Sequence, residues 1–153
     1  MTLAIRKARP SDLAQIQVIA RDAVNSNYRL FLVEESVDWF ISGPSDDYLA
    51  AQINQATVAC LGENVVGFTV LNENRIDLIM VKNEQQQQGI GSKLLSYSEA
   101  RLFILHGTIK LESFEKNERA NNFYHKNNWL KSHIECGERD CSNKLIFIKQ
   151  KYI

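Results

Sequence analysis

Apolar residues recur along this chain at two rhythms, and the points where one yields to the other mark its elements. Leu3 to Ala8 reads as a first strand, closed by Pro10. Ser11 is placed to cap the helix that follows, with Asp12 in its first turn. Leu13, Ile16, Ile19, Ala20, Ala23 and Val24 recur at helical spacing and predict an amphipathic helix. Val33 to Ile41 reads as a short helix with Val37, Phe40 and Ile41 on one side. Gly43-Pro44 breaks it, and Ser45, Asp46 and Asp47 open another helix through about Asn54.

Two β segments come next, Thr57 to Leu61 and Val65 to Leu71, joined by Gly62-Glu63-Asn64 as a hairpin turn. Asn72-Glu73-Asn74 turns the chain again into an Arg75 to Val81 strand, which predicts an antiparallel meander. A helix from near Ser92, carrying Leu94, Leu95, Ala100 and Leu102, ends near His106-Gly107, with the glycine at C′. Thr108 to Phe114 reads as a strand, Glu118 to Lys126 as a helix and Leu130 to Glu135 as a strand. The last strand is Lys144 to Lys149, with Gly137 to Asn143 as the hairpin loop before it. The order β-α-α-α-β-β-β-α-β-α-β-β predicts a mixed α/β sheet with helices on its faces.

With 153 residues and no linker or internal repeat, the chain is expected to form one domain over 1–153. Eighteen Lys and Arg balance eighteen Asp and Glu, so nothing in the total points to nucleic acid or an anionic membrane. No apolar run is long enough to span a bilayer, and the amino terminus lacks the apolar core of a secretion signal. Three cysteines, Cys60, Cys136 and Cys141, are too few for a disulfide scaffold and fit a reducing, cytoplasmic setting. His133, Cys136 and Cys141 lack a close Cys-x-x-Cys pair and a fourth ligand, so no metal site is expected.

Gly89-Ile90-Gly91, between a strand and a helix amino terminus, is where backbone N–H groups converge on an anion. A nucleoside-triphosphate loop would need a glycine where Gln86 stands and a lysine where Ser92 stands. A dinucleotide fingerprint would need its third glycine at Leu94. A third pattern, Gln/Arg-x-x-Gly-x-Gly/Ala, is met by Gln86-Gln87-Gln88-Gly89-Ile90-Gly91.

Here the chain resembles the GCN5-related N-acetyltransferase (GNAT) superfamily, whose loop of this form cradles the pyrophosphate of acetyl-coenzyme A. Asn117 to Trp129 is similar to that family's second signature, Asn-x-x-Ala-x-x-Phe-Tyr-x-Lys-x-Gly-Phe. Ile5-Arg6-x-Ala8 with Asp12-Leu13 extends the likeness to the amino terminus. Two departures stand out. The usual arginine before the first loop glycine is Gln88, and the usual glycine before the closing aromatic is Asn128. Asparagine is the least costly non-glycine residue in a left-handed conformation, so the helix can still end there.

The resemblance implies a single-domain sheet with a splayed central strand pair and an acetyl-coenzyme A-dependent N-acetyltransferase. The pantetheine arm would enter the gap between the Arg75 to Val81 and Thr108 to Phe114 strands as a pseudo-strand. Ile79, Met80 and Val81 would supply its backbone contacts, with a backbone N–H near Met80 meeting the oxyanion. Gln86, Gln87, Gln88, Gly89, Ile90, Gly91 and Ser92 would hold the pyrophosphate. Asn117, Asn121 and Tyr124 share a helical face toward the cofactor.

Acetyl transfer to an amine needs a base, an oxyanion donor and an acid for the departing thiolate. Tyr124 is the candidate acid, because a phenol of pKa about 10 can donate to a thiolate whose conjugate acid lies at about 8.5. Asp77, on one face of an alternating strand with Arg75, Ile79 and Val81, is the candidate base. Glu112 and Glu115 are weaker alternatives. Tyr28, Phe31, Glu34, Glu35 and Asp38, together with Trp39, would form an acidic, aromatic mouth for a cationic amine.

The expected acceptor is a small-molecule or peptide amine; a non-catalytic coenzyme A-binding regulatory module is the alternative from another class. A longer acyl donor would depend on space near Phe68, Leu78 and Phe114. Exposed strand edges would suit a homodimer.

Overall fold

A computed structural model of the chain describes residues 2–137 and 142–151. Its strands are β1 (Leu3–Lys7), β2 (Ala56–Leu61), β3 (Asn64–Asn72), β4 (Arg75–Val81), β5 (Thr108–Phe114), β6 (Leu130–Glu135) and β7 (Lys144–Gln150). They form one sheet in the order β1-β2-β3-β4-β5-β7-β6. Every neighbouring pair is antiparallel except β4 and β5, which run parallel. The helices are α1 (Leu13–Asn27), α2 (Glu34–Ile41), α3 (Pro44–Gln52), α4 (Ile90–Leu102) and α5 (Glu118–Lys126), in the expected order. Part of the expected Gly137 to Asn143 loop, and Cys141, lie outside the described residues.

The two faces of the sheet carry separate cores. On one face Ile16, Ile19, Ala20 and Val24 of α1 and Val37 of α2 pack on Val58, Phe68, Val70 and Met80. On the other, Leu95 and Leu102 of α4 and Tyr124 of α5 pack on Ile76, Ile109, Leu111 and Phe147. Gly67 allows α4 to lie this close, because a Cβ there would sit 2.9 Å from the Leu94 side chain and 3.1 Å from the Met80 carbonyl. The edge strand β6 is exposed along its whole length, including Leu130 and Ile134.

Two helix ends differ from expectation. Ser11 lies within a short 3-10 turn, Pro10–Asp12, and Asp12 takes the N-cap position of α1. The Asp12 carboxylate is held by other partners: it pairs with Arg6 at 2.8 Å and accepts the Arg9 N–H at 2.7 Å. α4 stops at Leu102, a turn short of Gly107, and the left-handed glycines are Gly62 and Gly89. α5 ends as its sequence implies, with Asn128 left-handed at φ 69°. Asn128 N–H then reaches the His125 carbonyl at 3.1 Å and Trp129 N–H the Tyr124 carbonyl at 3.0 Å, a Schellman closure.

Candidate functional site

One residue of β4 sets the geometry of the site. Leu71 pairs with Ile76 but Val70 pairs with Leu78, so Asp77 is an extra residue, a β-bulge. A bulge reverses the phase of every later position on its strand. Before it, the Asn74 carbonyl accepts the Lys110 N–H at 3.0 Å, so the backbone of Asn74 and Ile76 faces β5. After it, the Lys82 N–H donates to the Val66 carbonyl at 2.8 Å. With Met80 opposite Phe68 and Leu78 opposite Val70, the amides of residues 78, 80 and 82 all address β3. Ile79 and Val81 turn theirs toward β5. β5 has already left, because the parallel ladder ends at Ile76 and Leu111. The splayed pair is present, and its gap faces the amides of Ile79 and Val81. The expected donor at Met80 is corrected on this ground: its amide serves β3.

The bulge also corrects the face assigned to Asp77. Its carboxylate lies toward α3, where the Tyr48 hydroxyl donates to it at 3.1 Å. Asn72 Nδ2 and Arg75 Nε donate to the same carboxylate. Ile79 and Val81 pack on the opposite side, with Ile90 and Leu94 of α4.

The splayed strands open into a cleft of about 1330 Å³. Asp77 to Val81 of β4 and Glu112, Ser113 and Phe114 of β5 form its floor. The loop residues Gln85, Gln86, Gln87, Gly89, Gly91 and Ser92 line it, as do Asn117, Arg119, Asn122, Phe123, Tyr124 and Lys126. Tyr28 and, from α2, Glu35, Ser36, Trp39 and Phe40 complete the lining.

The loop end is built from backbone. Gly89 holds φ +81°, where a side chain would strain the chain although no neighbour lies within 4 Å. Gln87 is left-handed too, at φ 64°. The first amides of α4 have no intrahelical acceptor, and no side chain caps them. Gln86 Nε2 pins the loop to the Val81 carbonyl and Asn83 Oδ1, each at 3.3 Å. Converging unpaired amides at the positive end of a helix suit a phosphate, and the gap with its free strand edge suits an extended amide-bearing arm. Both halves of coenzyme A thus find complementary groups.

On α5, Tyr124 is 8% exposed, yet its hydroxyl makes no hydrogen bond to any described residue and borders the cleft. Burial, and secondarily the neighbouring Tyr28, raise its pKa well beyond the ordinary phenol range. Asn117 caps α5 by accepting the Ala120 N–H at 3.3 Å. Asn121 does not line the cleft; its Nδ2 holds the turn after β5 through the carbonyls of Phe114 and Glu115, at 3.2 and 3.0 Å. Ile90 is buried against Ala59, Val66 and Leu94, and Gln88 is exposed and off the lining.

The expected acceptor mouth is only partly assembled. Tyr28, Glu35 and Trp39 line the cleft, whereas Glu34 and Asp38 do not, and Asp38 pairs with Arg29 at 2.6 Å. Phe31 stacks between Tyr28 and Phe114 and lines a separate pocket of about 450 Å³. Glu112 lines the cleft beside Lys144, 3.5 Å away. Leu78 and Phe114 border the cleft, but Phe68 is sealed in the core. Arg119 and Asn122 are lining residues at positions the second signature leaves open, whereas Phe123 and Lys126 are two of its fixed residues; all four are spaced along one helix face.

Three phenols of this region share a pH signature. Burial raises Tyr28 and Tyr124, and burial with Asp77 pushes Tyr48 up to about 12. The unfolded chain, with phenols at about 10, would release these protons first. Stability is therefore intact below about pH 10 and falls as pH climbs through the folded values. Alkaline unfolding should start above about pH 10, with tyrosinate absorbance rising as helical circular dichroism is lost. Tyr28, Tyr48 and Tyr124 titrating freely at about pH 10 in a folded chain would contradict this assignment.

Among the described residues, no group of three or more His, Cys, Asp or Glu could hold a metal, and no helix is long and apolar enough to cross a membrane. Comparison with known proteins agrees with the geometry. A family model described as an acetyltransferase (GNAT) domain matches residues 47–129. The N-acetyltransferase PaiA of Thermoplasma acidophilum, solved with coenzyme A, superposes with TM-score 0.82 at 21% identity, covering 99% of this chain and 100% of that one. A GCN5-related N-acetyltransferase of Rhodopseudomonas palustris gives 0.84 at 18%, covering 99% and 97%. Ard1 of Thermoplasma volcanium gives 0.73 at 20%, covering both chains fully. Among curated protein sequences none matches.

Proposed function

Because this chain belongs to the acetyltransferase (GNAT) domain family, we propose that it transfers an acetyl group from acetyl-coenzyme A to a primary amine of a small molecule or peptide, by direct attack in a ternary complex. The observation that carries this reading is the pairing of the open strand gap with the unpartnered hydroxyl of the largely buried Tyr124 at its border. When bound, acetyl-coenzyme A brings an activated thioester, and the chain's own groups do the rest.

The Ile79 amide, turned into the gap by the bulge, donates to the oxygen on which charge develops. The Tyr124 hydroxyl donates its proton toward the departing sulfur. Its raised pKa keeps it protonated throughout the neutral range, so it serves as a donor and not as a base. Asp77 lines the cleft and remains the candidate base; to take a proton it must exchange one of its three donors for the amine or a water. Tyr28, Glu35 and Trp39 offer rings and charge that favour a cationic acceptor.

The test is a thiol-release screen with acetyl-coenzyme A against polyamines, aminoglycosides, amino acids and peptides, alongside melting curves. Release with at least one amine, and a melting temperature raised by the cofactor, is the expected result. Cofactor-dependent stabilisation with no release across the panel would make the chain a coenzyme A-binding module instead.

A further inference from the structure

Asp77 lines the cleft, but the side chains that hold its carboxylate do not. Asn72 and Arg75 face each other across the β3–β4 hairpin, directly before the bulge. Arg75 Nε donates to Asp77 Oδ1, and Asn72 Nδ2 donates to Oδ2. The other proton on Asn72 Nδ2 goes to Gln52 Oε1 at 3.0 Å. Tyr48, four residues before Gln52 on the same face of α3, donates its hydroxyl to Oδ2 at 3.1 Å. The Asp77 side chain is 15% exposed, so its carboxylate reaches the cleft while its donors stay off the lining.

The three donors are not equal. Arg75 brings a charge, and charge-assisted hydrogen bonds are about twice as strong as neutral ones. Asn72 is tied at both amide protons. A reversed amide would set its carbonyl against Gln52 Oε1 and Asp77 Oδ2, so the two acceptors fix which end Asn72 presents. Tyr48 contributes one neutral hydroxyl at 3.1 Å, long beside the usual O–H···O distance of about 2.7–2.8 Å. Burial and then Asp77 push its pKa up to about 12, so at neutral pH it remains a donor. Arg75 and Tyr48 are the charged and titratable groups bonded to Asp77. Glu112 of β5 and Glu73 of the turn act on Arg75, and Glu35 of α2 shares the cleft lining.

We propose that Tyr48 is the donor Asp77 exchanges for the acceptor, while Asn72, oriented by Gln52, is the positioning residue that holds the carboxylate in place together with Arg75. The inference rests on the reading of Asp77 as base and adds how that base is freed without being displaced. As the Tyr48 hydroxyl swings off Oδ2, an N–H bond of the acceptor ammonium breaks and an O–H bond forms on that oxygen. The nitrogen lone pair is then available to the thioester carbonyl. The proton passes from Asp77 to water after acetyl transfer, and the carboxylate returns to its three donors.

Thiol release from acetyl-coenzyme A with the fastest amine of the panel above would be followed against pH for Asp77→Asn, Asn72→Ala, Gln52→Ala and Tyr48→Phe. Asp77→Asn should lose about a hundredfold in kcat. Asn72→Ala should lose about tenfold in kcat, with KM for acetyl-coenzyme A within about twofold. Gln52→Ala, which reaches Asp77 only through Asn72, should show the same split at about threefold, and it carries the reading should Asn72→Ala fail to fold. Tyr48→Phe should instead gain about threefold in kcat above its acid limb, because the contact that must break is gone. Asn72→Ala and Tyr48→Phe each remove a donor from the ionised carboxylate, so in both the acid limb should move to higher pH. With Asp77→Asn inactive, a Tyr48→Phe variant that slows like Asn72→Ala overturns the proposal and leaves the base reading intact. Asn72→Ala and Gln52→Ala variants with the parent rate and profile do the same. Asp77→Asn at the parent rate removes the base reading itself, and a parent that releases no thiol with any amine removes both.

Discussion

Replacing Tyr124 with Phe is expected to lower turnover about a hundredfold while leaving coenzyme A affinity within about twofold. The ring would stay where it is, because its contacts are with Phe123 and Phe147, at centroid distances of 5.5 Å, and those need no hydroxyl. The hydroxyl makes no hydrogen bond to a described residue, so its removal leaves no protein group unpaired and stability should change little. What is lost is the donor at the sulfur. Because burial holds the phenol protonated far above neutrality, this group contributes no limb to the pH profile between about pH 6 and 9. Turnover is to be measured by thiol release across that range, and affinity by calorimetry. Equal turnover for the variant at every pH would remove Tyr124 from the chemistry, and a parallel loss of affinity would make it a binding residue.

Replacing Glu99 with Ala should be the most damaging single change to stability outside the apolar core. Glu99 of α4 accepts from Lys149 Nζ at 2.7 Å and from Trp129 Nε1 at 2.9 Å, and both ionic side chains are 13% exposed. Lys149 Nζ also donates to the Asn127 carbonyl at 3.0 Å, so the pair ties α4 and β7 to the end of α5. Without the carboxylate, a largely buried ammonium keeps one carbonyl partner and the indole N–H keeps none. Breaking such a pair from one side costs about 3–5 kcal/mol, or roughly 10 °C in a chain of this size. Substituting Lys149→Met in the same chain should recover part of that loss, since the unpaired charge goes with it. A Glu99→Ala variant melting within about 2 °C of the parent would show the network to be solvated in practice.

How much of this was legible in the sequence depends on the range of the forces involved. Helical spacing in Leu13 to Val24, glycine and asparagine turns at Gly62 to Asn64 and Asn72 to Asn74, and the Asn117 to Trp129 signature act within a few residues of chain. They gave the order of elements and the phosphate-binding loop. Where local rules competed, the outcome depended on neighbours far along the chain. Ser11 lost its cap position to Asp12, whose carboxylate Arg6 holds from the first strand. Gly107 was not needed as a C′ residue, because α4 had ended a turn earlier at Leu102.

The site shows the same division. Composition and motif determined that this chain folds as a mixed sheet, carries a glycine-marked anion loop, and places Tyr124 on the helix after β5. Only the tertiary structure decided which strand amides face the gap and which face holds Asp77. Strand alternation predicts faces two residues at a time, and a single bulge inverts every later position. That bulge arises from how β3 pairs with β4, a register no local pattern in Arg75 to Val81 records. Phe123 likewise comes to lie against Gly91 only through tertiary packing, which joins segments some thirty residues apart.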